Sequence, residues 1–227
     1  MTHKVWGVVV ALALGGALAL GAEGKLGGLG HGGVLVGLLT FDFSPVNAAL
    51  TAAGYPGVEG PMVVFGGGGA GGILGGTVFG GLGFGGTLTK LAGEKRTDLE
   101  IGYGGVVIEL TRPAARSAVL GLGTVLGGGG LDLTARSRSP VDFDDALASP
   151  PVSQLSLGFL GGIGYLRLQI QALPWLAVEG WVGYFLAFPG RWKEGGREIA
   201  GPALDLRTPF FAFRVSLGGM GFPDEAP

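Results

Sequence analysis

The sequence predicts an all-β protein: an antiparallel, glycine-rich β-barrel of about eight to ten strands, with a β-sandwich as the alternative. Three features favour this fold. Glycine supplies 50 of the 227 residues, about three times the usual share of roughly 7%. Charged residues make up only 14%, against roughly 25% in soluble domains. Polar and apolar side chains also alternate along several segments of the second half, as they do on β-strands.

Glycine doublets interrupt an otherwise β-branched and aromatic stretch at residues 63–89. A glycine inside a helix or strand costs about 0.5–1 kcal/mol relative to alanine. So many glycines must therefore serve strand curvature, room for large inward neighbours or close packing. The same pattern returns at residues 101–107, 121–130, 158–165 and 215–222.

The overall composition excludes several classes of protein. Hydrophobic residues at 47% and a mean hydropathy of +0.50 are too high for a disordered chain. The net charge of −2 provides no basic surface, so we expect no nucleic-acid partner. Cysteine is absent, which excludes disulfides, thiolate catalysis and cysteine-based metal sites.

The first 22 residues have the layout of a secretory signal peptide. His3 and Lys4 precede an apolar run that ends in small residues before Glu23. The alternative is an uncleaved membrane-spanning helix, since the run is long enough to cross a bilayer. We expect a cleaved signal at residues 1–22 and a single antiparallel β domain at residues 23–227.

Two short helices are predicted among the strands. Ser44 as N-cap, Pro45 at the first helical position and Gly54 after the last predict a helix near residues 44–53. A second helix is predicted near residues 142–148, where acidic residues crowd the first turn and suit the helix dipole.

Strands are predicted around these helices. In the first half they are assigned from β-branched and aromatic runs between glycine doublets, at residues 32–43, 61–65, 73–79, 82–91, 98–111 and 118–134. In the second half, residues 164–172, 175–188 and 206–217 each combine one apolar face with one mixed face. Such segments have the span of tilted transmembrane strands.

Six polar residues on or beside apolar strands are the candidate inward-facing positions. In a barrel they would point inward and pair across the interior, because unpaired buried charge is costly. They could form a structural plug or a binding site. Asp42 could instead face water or cap the helix that follows it. The six are Asp42, Glu109, Arg167, Gln169, Glu179 and Arg214.

The sequence contains no recognisable catalytic or cofactor motif. Gly67, Gly69 and Gly72 match a dinucleotide fingerprint only by chance, because no helix pattern follows them. His31 lies among glycines near the start of the β domain, and we interpret it as solvent-facing. The carboxylates of Asp142, Asp144 and Asp145 are interpreted as charges that stabilise a helix N-terminus. We expect no enzyme activity, no cofactor and no metal.

The combination of an export signal, alternating strands and aromatic strand ends resembles that of small outer-membrane β-barrels. The leading hypothesis is a non-enzymatic cell-envelope protein in the outer membrane, with membrane lipid as its partner and a structural or narrow-channel role. The alternative is a secreted or periplasmic soluble β-barrel or sandwich that binds a small hydrophobic ligand or self-associates. An exported enzyme is the third hypothesis.

Overall fold

The protein is represented by a computed structural model that describes residues 27–137, 144 and 153–221. The predicted signal peptide at residues 1–22 lies outside this part of the chain. So does the predicted helix at residues 142–148, except for Asp144.

The described residues form one sheet of nine strands and one helix, as expected for an all-β chain. The helix α1 is Ser44–Ala52. The strands are β1 (Gly27–Leu39), β2 (Met62–Leu74), β3 (Thr77–Ala92), β4 (Lys95–Ala115), β5 (Ala118–Arg136), β6 (Ser153–Leu173), β7 (Leu176–Glu194), the two-residue β8 (Arg197–Glu198) and β9 (Leu206–Gly221).

The eight long strands close into an antiparallel ring. Each pairs with the next along the chain, β7 pairs with β9, and β9 pairs with β1. Following paired residues once around the ring from Leu29 returns to β1 at Leu39, a stagger of ten residues. With strands about 4.8 Å apart and about 3.4 Å of rise per residue, this stagger gives a strand tilt of about 40°. The closed sheet therefore has the proportions of a small barrel.

The two ends of the ring differ. At one end, called here the short-turn rim, two-residue turns at 75–76, 116–117 and 174–175 join the strands. Gly75 has φ +79° in the first of these turns, a conformation that favours glycine. The other end, called the loop rim, carries the longer connections, including residues 40–61 with α1.

The interior is filled by inward-facing side chains. An apolar core occupies most of it and extends to Val46 and Leu50 of α1, which cover the loop rim. Aromatic rings pack against each other at centroid distances of 5.3–6.3 Å. These rings belong to Phe84, Tyr103, Phe159, Phe185 and Phe210. A smaller apolar cluster of Leu29, Leu74, Val78 and Val119 lies toward the short-turn rim.

Some predicted boundaries in the glycine-rich half are wrong. Residues 73–79 do not form one strand, because the turn at Gly75 and Gly76 divides them between β2 and β3. β2 instead continues through its glycines, and β1 begins at Gly27 rather than at residue 32. The N-cap of α1 is Phe43 rather than Ser44, because Ser44 is already the first helical residue.

Many inward glycines are required by the close approach of neighbouring strands. A Cβ on Gly127 would lie 2.0 Å from the carbonyl oxygen of Gly104. By contrast, a Cβ on the outward Gly102 would meet nothing within 4 Å. Glycine therefore permits the tight coiling of the ring on its inner face.

Candidate functional site

A cluster of polar and charged side chains is buried inside the ring, between the apolar core and the smaller apolar cluster near the short-turn rim. Its members come from five strands and occupy inward positions that alternate with outward apolar ones. This charged cluster comprises His31, Glu109, Tyr165, Arg167, Gln169, Glu179, Trp181, Arg214 and Ser216, all buried.

Glu109 and Arg167 form a two-pronged ion pair. Arg167 Nε donates to Glu109 Oε2 at 2.9 Å, and Arg167 Nη2 donates to Glu109 Oε1 at 2.5 Å. The hydroxyl of Tyr165 donates to Glu109 Oε2 at 2.9 Å, and Arg167 Nη1 donates to the side-chain oxygen of Gln169. Paired, planar contacts of this kind are among the strongest hydrogen bonds in proteins.

Glu179 is the acceptor at the centre of the cluster. Its directly opposite neighbour on β9 is Arg214, which donates from Nε to Oε2 at 3.0 Å and from Nη2 to Oε1 at 2.9 Å. Trp181 Nε1 donates to Oε2 at 3.1 Å, and the Ser216 hydroxyl donates to Oε1. Arg167 Nη1 lies 3.2 Å from Glu179 Oε2, so the two ion pairs form one network.

His31 completes the cluster on β1. Its Nδ1 lies 2.5 Å from Arg214 Nη2 and 3.3 Å from Glu179 Oε1. Because a guanidinium can only donate, Nδ1 must accept this hydrogen bond, so the imidazole is neutral and carries its proton on Nε2. His31 Nε2 is buried and has no hydrogen-bond partner among the described residues.

Glycines on the inner face of β5 provide the space for these large groups. A Cβ on Gly121 would lie 2.6 Å from Cδ of Glu109, and a Cβ on Gly123 would lie 2.6 Å from the Tyr165 ring. The Tyr165 ring in turn stacks on Trp181 with centroids 4.2 Å apart. These glycines are therefore part of the site although they carry no polar group.

The charges of the cluster balance. Two arginines face two glutamates, and both carboxylates already accept several hydrogen bonds from protein donors. Carboxylates occupied in this way are unsuited to take a proton from a substrate. The arrangement instead ties β1, β4, β6, β7 and β9 together across the interior.

The structure places five of the six candidate polar residues inside the ring: Glu109, Arg167, Gln169, Glu179 and Arg214. Asp42 is the exception and is a correction. It is exposed, forms an isolated bridge with Asp205, and accepts hydrogen bonds from the backbone N–H and the hydroxyl of Ser44. The hydroxyl and then the N–H of Ser44 lower the pKa of Asp42.

His31 is a second correction, because it is buried in β1 rather than solvent-facing. Its glycine neighbours hid the alternation of the strand. A signal was nevertheless present, since His31 has the same odd-numbered parity as the inward Leu29, Leu35 and Leu39. Ser216 was missed as a site residue although it shares the parity of Arg214.

Several other polar features lie at the surface of the protein. Exposed ion pairs join Arg191 to Glu198 at 2.9 Å and Arg207 to Asp205 at 2.5 Å. Two open surface depressions, one beside α1 and one beside Trp192, contain no residue of the charged cluster. In the part of the chain that the structure describes, no group of three or more histidine or acidic side chains is placed to hold a metal ion.

The outer face of the ring is strongly apolar. Twenty-six large hydrophobic side chains of the described residues are exposed, among them Leu160 at 73%, Val34 at 71% and Phe65 at 66%. Among the described residues, outward charges occur only near the ends of the long strands. They are found at Arg112 toward the short-turn rim and from Glu100 and Arg207 onward toward the loop rim. At about 2.5 Å of axial rise per tilted residue, the uncharged band between them is roughly 28 Å tall.

None of the described helices is long and apolar enough to cross a membrane. No protein-family model matches the chain, and a search of curated proteins finds no match.

Proposed function

We propose that this chain is a non-enzymatic protein of the cell envelope, a small β-barrel inserted in an outer membrane with its apolar band against lipid. The observation that carries the proposal is the reversed polarity of the ring. Charged side chains are buried inside, whereas the outer face of the described strands has no charged side chain over roughly 28 Å. Outer-membrane barrels have an outward apolar band of about 25 Å.

Energetics favour lipid over water around this band. Burying one large aliphatic or aromatic side chain is worth about 1.5–3 kcal/mol, and the outer face exposes many of them. Monomeric soluble proteins rarely expose continuous apolar patches larger than a few hundred Å². An arginine or lysine in lipid at mid-band would cost about 2–4 kcal/mol, which explains why outward charges are confined to the ends.

The filled interior supports a structural role rather than conduction. Large aromatic side chains, the charged cluster and α1 occupy successive levels between the two rims. A water-filled channel requires a polar, open lumen. The same filling argues against a hydrophobic ligand inside the ring, because such a site requires a cavity.

Fractionation of the native host tests the location. The protein should require detergent for extraction from the membrane fraction, and its band on an SDS gel should shift when the sample is boiled. Extraction by alkaline carbonate without any heat-dependent shift would contradict the membrane proposal. It would favour the soluble alternative, in which the apolar face binds a second copy.

A pair of matched variants tests the band itself. Leu166 and Gln154 both face outward on β6, the first within the band and the second near the loop rim. In lipid vesicles Leu166→Arg should lower the free energy of unfolding by about 2–4 kcal/mol, and Gln154→Arg by no more than about 1 kcal/mol. Equal effects of the two variants would show that the band does not face lipid.

A further inference from the structure

We propose that His31 is an acid-sensitive latch of the charged cluster. In the present arrangement its unprotonated Nδ1 accepts a hydrogen bond from Arg214. A proton taken up from solvent at Nδ1 would occupy the lone pair that accepts this bond. His31 and Arg214 would then both be donors and both be cations, and their contact would break. This inference concerns the interior and goes beyond the proposed location.

The surroundings of His31 determine where the protonated ring would turn. Arg214 on β9 and Glu179 on β7 contact it directly, and Arg167 on β6 interacts with it electrostatically. Tyr165 on β6 and Glu109 on β4 belong to the same network through Arg167. Its directly paired neighbour on β2 is Ala70, and β3 and β5 contribute apolar side chains nearby, Val78 and Val119.

Glu179 is the only acceptor within reach of the protonated ring among the described carboxylates. Its Oε1 lies 3.3 Å from His31 Nδ1 and already accepts from Arg214 and Ser216. The imidazolium would compete with Arg214 for this oxygen. One proton would therefore change a balanced set of two cations and two anions into a set with excess positive charge, and Arg214 would shift.

Trp181 reports directly on this change. Its indole N–H donates to Glu179 Oε2, and its ring lies 5.0 Å from the Arg214 guanidinium carbon. Trp192 is the internal control, because its indole N–H donates to the backbone oxygen of Pro202 at the loop rim. Acid should shift the Trp181 indole resonance and leave that of Trp192 in place.

The test is an NMR titration of the folded chain in detergent micelles, with labelled histidine and tryptophan, from about pH 8 down to acid unfolding. The chain contains two histidines, so His31→Gln identifies the His31 signal. The Trp181 indole resonance should shift with the same pH midpoint as the His31 resonance. Both curves should fit the uptake of one proton. In His31→Gln the shift should vanish, because a glutamine oxygen can accept from Arg214 but does not take up this proton.

Three results would overturn the latch. They are a Trp181 shift that persists in His31→Gln, a His31 titration that leaves Trp181 unchanged, and a His31 that stays neutral until the protein unfolds. If His31→Gln fails to fold, comparison of the two midpoints in the unmodified chain still decides. None of these readouts depends on whether the outer band contacts lipid, so failure of the latch is distinguishable from failure of the proposed function.

Discussion

The ion pair of Glu109 and Arg167 allows a quantitative test of the buried cluster. Removing one partner of a buried pair leaves an uncompensated charge and costs about 3–5 kcal/mol, whereas replacing both by apolar residues of similar size is often nearly neutral. Arg167→Met should lie at the upper end of this range, because the Tyr165 hydroxyl would be the one hydrogen-bond donor left to Glu109 among the described residues. Glu109→Met should lie at the lower end, because Arg167 keeps contacts with Gln169 and Glu179.

The double variant Glu109→Met/Arg167→Met is the decisive member of this series. It restores charge balance, so its cost should be no more than about 1 kcal/mol, and the sum of the single costs should exceed it by about 7 kcal/mol. Flexible methionine side chains can fill the space that both polar groups leave.

The assay is guanidinium unfolding in detergent micelles, followed by tryptophan emission and linear extrapolation. Arg191→Met is the matched control. It breaks the ion pair between Arg191 and Glu198, whose side chains are 78% and 54% exposed, respectively. Exposed pairs of this kind contribute no more than about 1 kcal/mol to stability. The reasoning is refuted if the single costs simply add in the double variant, or if Arg167→Met costs as little as Arg191→Met.

Three further predictions concern an inward glycine, a core aromatic ring and the exposed Asp42 carboxyl group. Gly121→Ala should destabilise by about 1–3 kcal/mol in the same assay, because its Cβ would press on a cluster carboxylate, whereas Gly102→Ala should change stability by no more than about 0.5 kcal/mol. Phe185→Ala should cost about 3–5 kcal/mol, because this ring is fully buried among aromatic neighbours. The pKa of Asp42 lies below its usual value because of Ser44, so its stabilising contribution is present above the ordinary pKa and lost as pH falls through the lowered one. NMR titration of the Asp42 carboxyl should show its pKa rising in Ser44→Ala, and an unchanged value would contradict the assignment.

The second half of the chain could be predicted well because its strands carry large side chains. The alternation of Arg167 and Gln169 with leucines on β6, and of Phe211 and Phe213 with Arg214 on β9, fixes which face is inside. The partners of these residues could not be predicted. The pairing of Glu179 with Arg214 depends on the register between β7 and β9, and register is set by turns and packing rather than by one strand.

The first half was harder because glycine carries no side chain that could reveal a face. All seven residues from Gly66 to Gly72 are glycine or alanine, so neither the continuity of β2 nor its end could be read from alternation. His31 was misassigned for the same reason. Asp42 was misassigned for a different reason. Its aromatic neighbours Phe41 and Phe43 are buried, as they would be beside a strand, but Asp42 lies beyond Leu39, the last residue of β1.

The pairing of the first described strand with the last has a kinetic consequence. Leu39 pairs with Phe210 and Gly28 with Gly221, so the ring cannot close before β9 is in place. Until then β1 and β7 each present an unpaired edge, which is a template for association with other chains. Contacts between residues so distant in sequence also form slowly. A chain that lacks β9 therefore carries two open strand edges, and pairing with β9 covers both.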